Sequence, residues 1–409
     1  MTDTKTKIET SRADLYDSAD LVRHEYEVDG SEEKKILATL AERTDVEAER
    51  IRRYLAYSDL ARNLESPISE IIKKLLTLPT FKKFDDIHIP EIVPAAESFD
   101  LFGFPADHPT RSHSDTYYAD DKNILKTHTT VMWYYYLNLP DVKKRITEDK
   151  DLGAVCYGKV YRKDEIDRNH MNIFHQIDGL YLCPKEKHVI TQQDLKDVLT
   201  EVALSVFGEK TKYRFNDDEF PFTYNSLEME VDKGSVDGGS GKEEWVEVLG
   251  AGIVQPTVLE KLGVDSQNYN GWAFGFGLER LAIISMELPD IRLLWSQDAR
   301  VKKQLHMGQK FVEVSKYPPI VRDISFIVKN DFVPNNYFDL VRDIAGDMAE
   351  EVELVDKYEN ATKFGEGFVS YAYRITYRAL DRTLVSAEID ELHKKLEDAT
   401  AKTFDAKIR

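Results

Sequence analysis

The sequence predicts an α+β chain made of a large mixed body followed by a small βαββαβ unit. Three observations lead there. At 409 residues the chain exceeds what one hydrophobic core usually spans, so two or three domains are expected. From 125 to 305, short β-rich runs alternate with helical patterns. After 316 the order of runs becomes strand, helix, strand, strand, helix, strand.

The first 65 residues are charge-dense and read as an N-terminal helical extension. Thr44 and Glu47 form a capping-box pattern, and Ile51, Leu55, Leu60 and Leu64 then recur near helical spacing. A stronger helix follows at 66–78. Ser66 suits its cap and Pro67 its first position, and Ile68, Ile71, Ile72, Leu75 and Leu76 make one apolar face that Pro79 ends. Residues 87–94 read as a Pro-bounded strand. Strands are expected at 153–166, which alternates near its centre, and at 173–183. A helix is expected at 191–208. NSLEMEV and EWVEVLGAGIV form a strand pair around a Gly/Ser/Asp-rich hairpin loop, and 271–286 passes from strand through glycines into a helix. The last unit has strand 321–328, helix 335–349, strands 352–359 and 367–380, helix 385–402 and a final FDAKI. This is the ferredoxin-like plan. The expected divisions are 1–65, a body at 66–305, a linker at 306–315 and the small unit at 316–409.

Composition excludes several functions. Hydrophobic residues are 42% and charged residues 32%, so wholesale disorder is out. No apolar run approaches the roughly 20 residues of a membrane-spanning helix, and no membrane partner is expected. Two cysteines, Cys156 and Cys183, build neither a disulfide framework nor a Cys-rich zinc site. The start, MTDTKTKIET, has neither a signal-peptide core nor an Arg-rich transit character, and a cytoplasmic setting is expected. A net charge of -19 argues against coating nucleic acid through bulk electrostatics, though it leaves room for a local basic surface.

Three features carry chemistry. Arg162 lies on a strand near Lys159, Lys163 and Arg168, and a guanidinium suits bidentate phosphate binding. In GFGLERL (275–281) the glycines permit close approach to a ligand, and Arg280 sits in the first turn of a helix, where the macrodipole favours anions. Phe220 and Phe222 straddle a proline in a set of aromatic and polar segments and can face the same side around a flat apolar ligand. His128, His170 and His175 match no zinc spacing, and the metal ligands stay open. With no GxSxG, P-loop or HExxH, the chemistry rests on positioning and charge neutralisation.

Read in order, SFDLFGFPADHPTRS, ILKTHTT, GKVYRKDEIDRNHMNIFHQIDG, FPFTYNSLEMEV, WVEVLGAGIV and GWAFGFGLERLAI resemble the class II aminoacyl-tRNA synthetases, specifically the phenylalanyl-tRNA synthetase family. The tail from SKYPPIVRDISF to YRALDRTL resembles the ferredoxin-fold anticodon-binding domain, fused in one chain as in the mitochondrial-type enzymes. The resemblance implies a mixed antiparallel sheet with flanking helices. It also implies ATP-dependent activation of L-phenylalanine, transfer to tRNA(Phe), and magnesium accompanying ATP. Catalytic roles fall on Arg162 and Arg280. ATP contacts fall on Arg162, Asp164, Asn169, His170, Met171, Gly277 and Arg280. Substrate contacts fall on His128, Thr130, Gln176, Asp178, Phe220, Phe222, Glu247, Ala273 at the pocket floor, and Phe274. Base stacking falls on Arg374, Arg378 and Arg382 beside Tyr371, Tyr373 and Tyr377. The chain departs from the family in four places: Thr130 replaces a serine, Trp133 a glutamine, Asp178 a glutamate, and Tyr224 the glutamate that ligates magnesium in two-subunit enzymes. A monomer or homodimer without a β subunit is expected. The alternatives are an amino-acid-activating enzyme with a non-tRNA acceptor and a non-catalytic RNA-binding paralogue.

Overall fold

In the computed structural model, which describes residues 15–239, 241–313 and 317–409, ten strands precede the small unit. They are β1 (Glu25–Glu27), β2 (Asp85–His88), β3 (Ile92–Pro94), β4 (Asn123–Leu125), β5 (Leu152–Tyr161), β6 (Ile173–Pro184), β7 (Tyr213–Asp217), β8 (Thr223–Asp232), β9 (Trp245–Val254) and β10 (Tyr269–Gly277). β3 and β4 pair with each other. The other eight form one sheet in the order β1-β2-β5-β6-β10-β9-β8-β7. The β1–β2 and β2–β5 pairs are parallel and the remaining pairs antiparallel, so the sheet is mixed.

Both faces of the central sheet are covered. On one side lie α3 (Pro67–Leu76), α4 (Gln192–Phe207) and α5 (Leu278–Met286), whose Ile71, Leu75, Val198, Val202 and Leu281 pack on Val155, Ile177 and Tyr181. On the other, Met132, Trp133 and Tyr136 pack on Ala154, Cys156 and Leu180. The alternation read in 153–166 therefore separates two buried faces, not a buried from a wet one. Burying each such side chain contributes roughly 1.5–3 kcal/mol.

The extension differs from an all-helical arm. Its helices α1 (Ser31–Glu42) and α2 (Val46–Leu55) are preceded by β1, which adds an edge to the main sheet; residues 1–14 lie outside the described ones. The cap of α2 is Asp45, which accepts from the Ala48 N–H, and not Thr44, because the helix starts one residue later than the motif suggests. The helix stops at Leu55, so Leu64 is left exposed. Ser66 does cap α3, accepting from the Ile68 N–H at 3.2 Å. Residues 87–94 divide between β2 and β3, because Pro90 cannot donate to a ladder.

The small unit has β11 (Ile320–Lys329), α6 (Pro334–Ala345), β12 (Ala349–Glu359), β13 (Phe368–Tyr377), α7 (Ser386–Phe404) and β14 (Lys407–Ile408), with sheet order β12-β13-β11-β14. It docks on the loop after β5. Arg342 donates to the carbonyls of Asp164 and Glu165 at 2.6 Å each, and the Val352 N–H donates to Ile166 O at 3.0 Å. α2 joins this contact: Arg50 and Arg53 pair with Asp343 at 2.7 and 2.5 Å. The extension thus ties body and small unit together. Of the expected linker, residues 314–315 lie outside the described ones.

Candidate active site

Two cavities meet on the central sheet. The first, of about 220 Å³, is lined by Phe104, His128, Thr130, Trp133, Phe220, Phe222, Ala273 and Phe274, with Arg162, Gln176 and Asp178 at its polar side. The second, of about 400 Å³, is lined by Arg162, Asp164, Asn169, His170, Met171, Phe174, Glu247, Gly277 and Arg280. Arg162, Gln176, Phe220, Gly250 and Gly275 belong to both walls.

Strand alternation builds the shared wall. Phe174, Gln176 and Asp178 fall on one face of β6, two residues apart. β10 runs beside it in register, with Gly275 opposite Asp178 and Gly277 opposite Gln176. A Cβ on Gly275 would lie 2.8 Å from an Asp178 carboxylate oxygen, and one on Gly250 would lie 3.0 Å from the Phe220 ring, so glycine keeps both spaces open. Phe220 and Phe222 stack with centroids 5.9 Å apart, on the same side as their spacing implied.

The polar side of the smaller cavity is desolvated. Asp178 is buried and accepts from the Thr129 hydroxyl and, at 2.6 Å, from the Thr130 hydroxyl. Burial pushes its carboxyl up to about 6, against the pull of these hydroxyls and of Arg162. His128 is half-buried with a buried Nδ1; desolvation, then the Arg162 charge, holds it down at about 4. A neutral ring whose Nε2–H donates to Ser98 O at 3.2 Å leaves Nδ1 as an acceptor, and that atom has no partner among the described residues. Gln176 Oε1 and Trp133 Nε1 are likewise buried without one. Such atoms cost about 1–3 kcal/mol each unless a ligand pairs them.

Arg162 sits one residue beyond β5, not within it, yet its N–H still donates to Asn172 O at 3.1 Å and so continues the ladder. Its Nε donates to Thr127 O at 2.9 Å, and its guanidinium lies 5.1 Å from the Phe174 ring centre. One side of the fork is fixed, and among the described residues no carboxylate forms an ion pair with it. Burial, the largest effect, makes its cation less favourable than usual, against the pull of Asp164 and Asp178 and with the push of Arg280. Arg280, in the first turn of α5, donates to Glu247 O at 3.0 Å and is half exposed. His170 is held by Asp167, whose carboxylate contacts Nδ1 at 2.8 Å and accepts the Asn169 and His170 N–H groups. The same contact raises the imidazole pKa.

Two expectations are corrected. Glu247 lines the second cavity and not the amino-acid pocket, because its strand position places it beside Arg280. Arg374, Arg378 and Arg382 do not form one stacking surface with the tyrosines. On β13, Tyr371, Tyr373 and Tyr377 point into the core of the small unit and are buried. Arg374 faces the other way and pairs with Asp323 at 2.8 Å. Arg378 pairs with the buried Glu350, which also holds Arg168 of the body, and Arg382 pairs with Glu388 at 2.7 Å. Alternation parts the arginines from the rings. Phe104 and Phe174 were not singled out from sequence; the aromatic density of SFDLFGFP and FHQ was the only signal.

Residues 51–305 match the model of the tRNA synthetases class II core domain (F), and residues 315–409 match the ferredoxin-fold anticodon binding domain. A chloroplastic/mitochondrial phenylalanine–tRNA ligase of Arabidopsis thaliana is 37% identical over 340 residues, covering 80% of this chain and 73% of that one. The mitochondrial phenylalanine–tRNA ligase of Mus musculus is 34% identical over 369 residues, covering 81% and 76%. A phenylalanine–tRNA ligase alpha subunit of Lachnoclostridium phytofermentans is 37% identical over 228 residues, covering 54% of this chain and 63% of that one.

Proposed function

The chain belongs to the phenylalanine–tRNA ligase family of class II tRNA synthetases, and from that premise we propose how its residues divide the work. The benzyl ring of L-phenylalanine enters the smaller cavity between the Phe220–Phe222 pair and Phe274, with Ala273 at the floor. Its ammonium donates to Asp178 and to His128 Nδ1, the buried acceptors there. ATP takes the larger cavity, with its phosphates between Arg162 and Arg280.

A carboxylate oxygen of phenylalanine attacks the α-phosphorus, the bond from that phosphorus to the bridging oxygen breaks, and pyrophosphate leaves. Charge builds on the phosphate oxygens during this step. Two pre-positioned guanidiniums stabilise it without having to reorganise. A ribose hydroxyl of the tRNA 3'-terminal adenosine then attacks the acyl carbonyl, and AMP leaves. Magnesium, which keeps several waters and binds through phosphates plus one or two carboxylates, fits beside Glu247 and Asp164; when bound it supplies further neutralisation of the phosphates.

The observation that carries this reading is Arg162 on the common wall of both cavities, where a carboxylate and an α-phosphate would meet. Phenylalanine-dependent exchange of pyrophosphate into ATP tests it, and its absence would exclude catalysis. Charging of tRNA(Phe) separates the ligase from an enzyme with another acceptor. The small unit is the proposed anticodon reader, with exposed Arg374 and Arg382 as contacts that must exchange Asp323 and Glu388 for RNA. Activity without a β subunit accords with matches to mitochondrial-type ligases over 80–81% of this chain and with Tyr224 standing where two-subunit enzymes have a magnesium-binding glutamate. Sedimentation with and without tRNA tells monomer from homodimer. A cytoplasmic placement is part of the proposal; the eukaryotic relatives named above are organellar, and fractionation of cells carrying tagged protein decides it.

A further inference from the structure

His175 takes no part in the chemistry above, yet it lies between Phe174 and Gln176 on β6 with its ring wholly buried on the opposite face of the sheet. Its Nδ1 meets Glu279 Oε1 at 2.6 Å, and its backbone N–H donates to Glu279 Oε2 at 2.8 Å. Its Nε2 accepts the Leu60 N–H at 2.9 Å and lies 3.2 Å from Asp59 Oδ1, and the Trp295 ring stacks on it at 5.9 Å. Glu279 is itself buried and is the residue immediately before Arg280.

We infer that His175 is a positioning residue that, clamped between the Asp59–Leu60 turn of the N-terminal extension and Glu279 of α5, fixes where Arg280 stands in the nucleotide cavity. The inference rests on the functional reading above. Successive helix residues differ by 100° in direction, so a carboxylate locked at Glu279 by two bonds sets the rotation of the first turn and with it the aim of Arg280. That turn has no side-chain cap of its own, and the Glu279 clamp adds a polar restraint to the packing of Leu278 and Leu281 in the core. The same two bonds hold β6, which carries Phe174 beneath Arg162. One imidazole thus references both arginines to a common frame, and Asp59 extends that frame into the extension. A buried ion pair is weak evidence of stability for its own sake, whereas its geometric specificity is what a charge-stabilising site needs.

Besides Asp59 and Glu279, the charged groups near the imidazole are Lys126 and Arg62 beside Asp59, and Lys159 on β5, whose ammonium is committed to Glu91 and to two backbone carbonyls.

The test is pyrophosphate exchange by the full chain carrying Asp59→Asn, His175→Gln or both. Each single change should weaken kcat/KM for ATP by about 10- to 100-fold, the scale of a small misplacement, with KM for phenylalanine within about twofold of wild type. The double variant should be no worse than the worse single, since one path is cut once. If His175→Gln does not fold, Asp59→Asn, a near-isosteric change outside both cavities, carries the test through the ATP split. Folded variants with unchanged ATP kinetics, equal losses toward both substrates, or multiplying single effects would overturn the inference. Wild type lacking exchange altogether would instead remove the functional reading itself.

Discussion

The two cavities share a wall but work by different physics. The smaller cavity, proposed for the amino acid, is closed by aromatic rings and holds its few polar groups buried, several without partners among the described residues. The nucleotide cavity is wider and its groups are wetter: Arg280 and Glu247 are about half exposed. In the first, dielectric and shape decide, so a single atom matters. In the second, charge number and aim decide, and water and salt dilute each contribution. Arg162 is the cation that both regimes share, half-buried on the common wall.

That contrast orders the outcomes of substitution. Arg162→Ala should be the most damaging, slowing exchange by on the order of 10²–10³, with Arg280→Ala at the lower end because solvent shares its task. Equal losses at the two positions would erase the distinction drawn between the cavities. Next comes Asp178→Asn, which should raise KM for phenylalanine by roughly 10- to 100-fold, the value of a bond to a charged group. It should leave KM for ATP almost unmoved.

The same residue predicts a pH dependence. Its folded value of about 6 exceeds that of an ordinary carboxyl, so KM for phenylalanine should rise as pH falls below about 6 and the carboxylate is protonated. For stability the sign reverses. The folded chain binds this proton more tightly than the unfolded chain, so this group's contribution declines as pH rises from about 4 to about 6. Asp178→Asn should therefore raise the thermal midpoint at pH 7 while impairing substrate binding, measurable by calorimetry beside kinetics.

A smaller effect is expected at the floor. Ala273→Gly removes one methyl and should gain about tenfold in exchange with p-chlorophenylalanine, in line with the 10- to 200-fold scale of a methylene in an apolar pocket. No gain would place the ring elsewhere. The smallest effect is ionic: added salt should raise KM for ATP more than KM for phenylalanine, since the exposed cations are screened and the buried carboxylate is not.

Much of this was legible along the chain. Periodicity placed α3, α4, β6 and the βαββαβ unit within a few residues of their observed bounds, because apolar spacing, Ser66, Pro67 and Gly208 act locally. The motif residues of both cavities came from the resemblance to the synthetase family, carried onto matching positions of this sequence. What sequence did not settle depends on distant packing. β1 reads as nothing by itself and becomes an edge only because β2 offers a parallel neighbour. Tyr371, Tyr373 and Arg374 look like one cluster in a row of letters, and the pleat sends them to opposite faces. Asp59 and Glu279 are 220 positions apart in the chain, and no local pattern announces that a histidine joins them. Sequence by itself therefore determined which elements form and which side chains carry charge, since those follow from short-range periodicity and residue chemistry. Tertiary structure alone decided which charges stay unpaired and where they aim, because burial and long-range contact exist only once the chain has closed on itself.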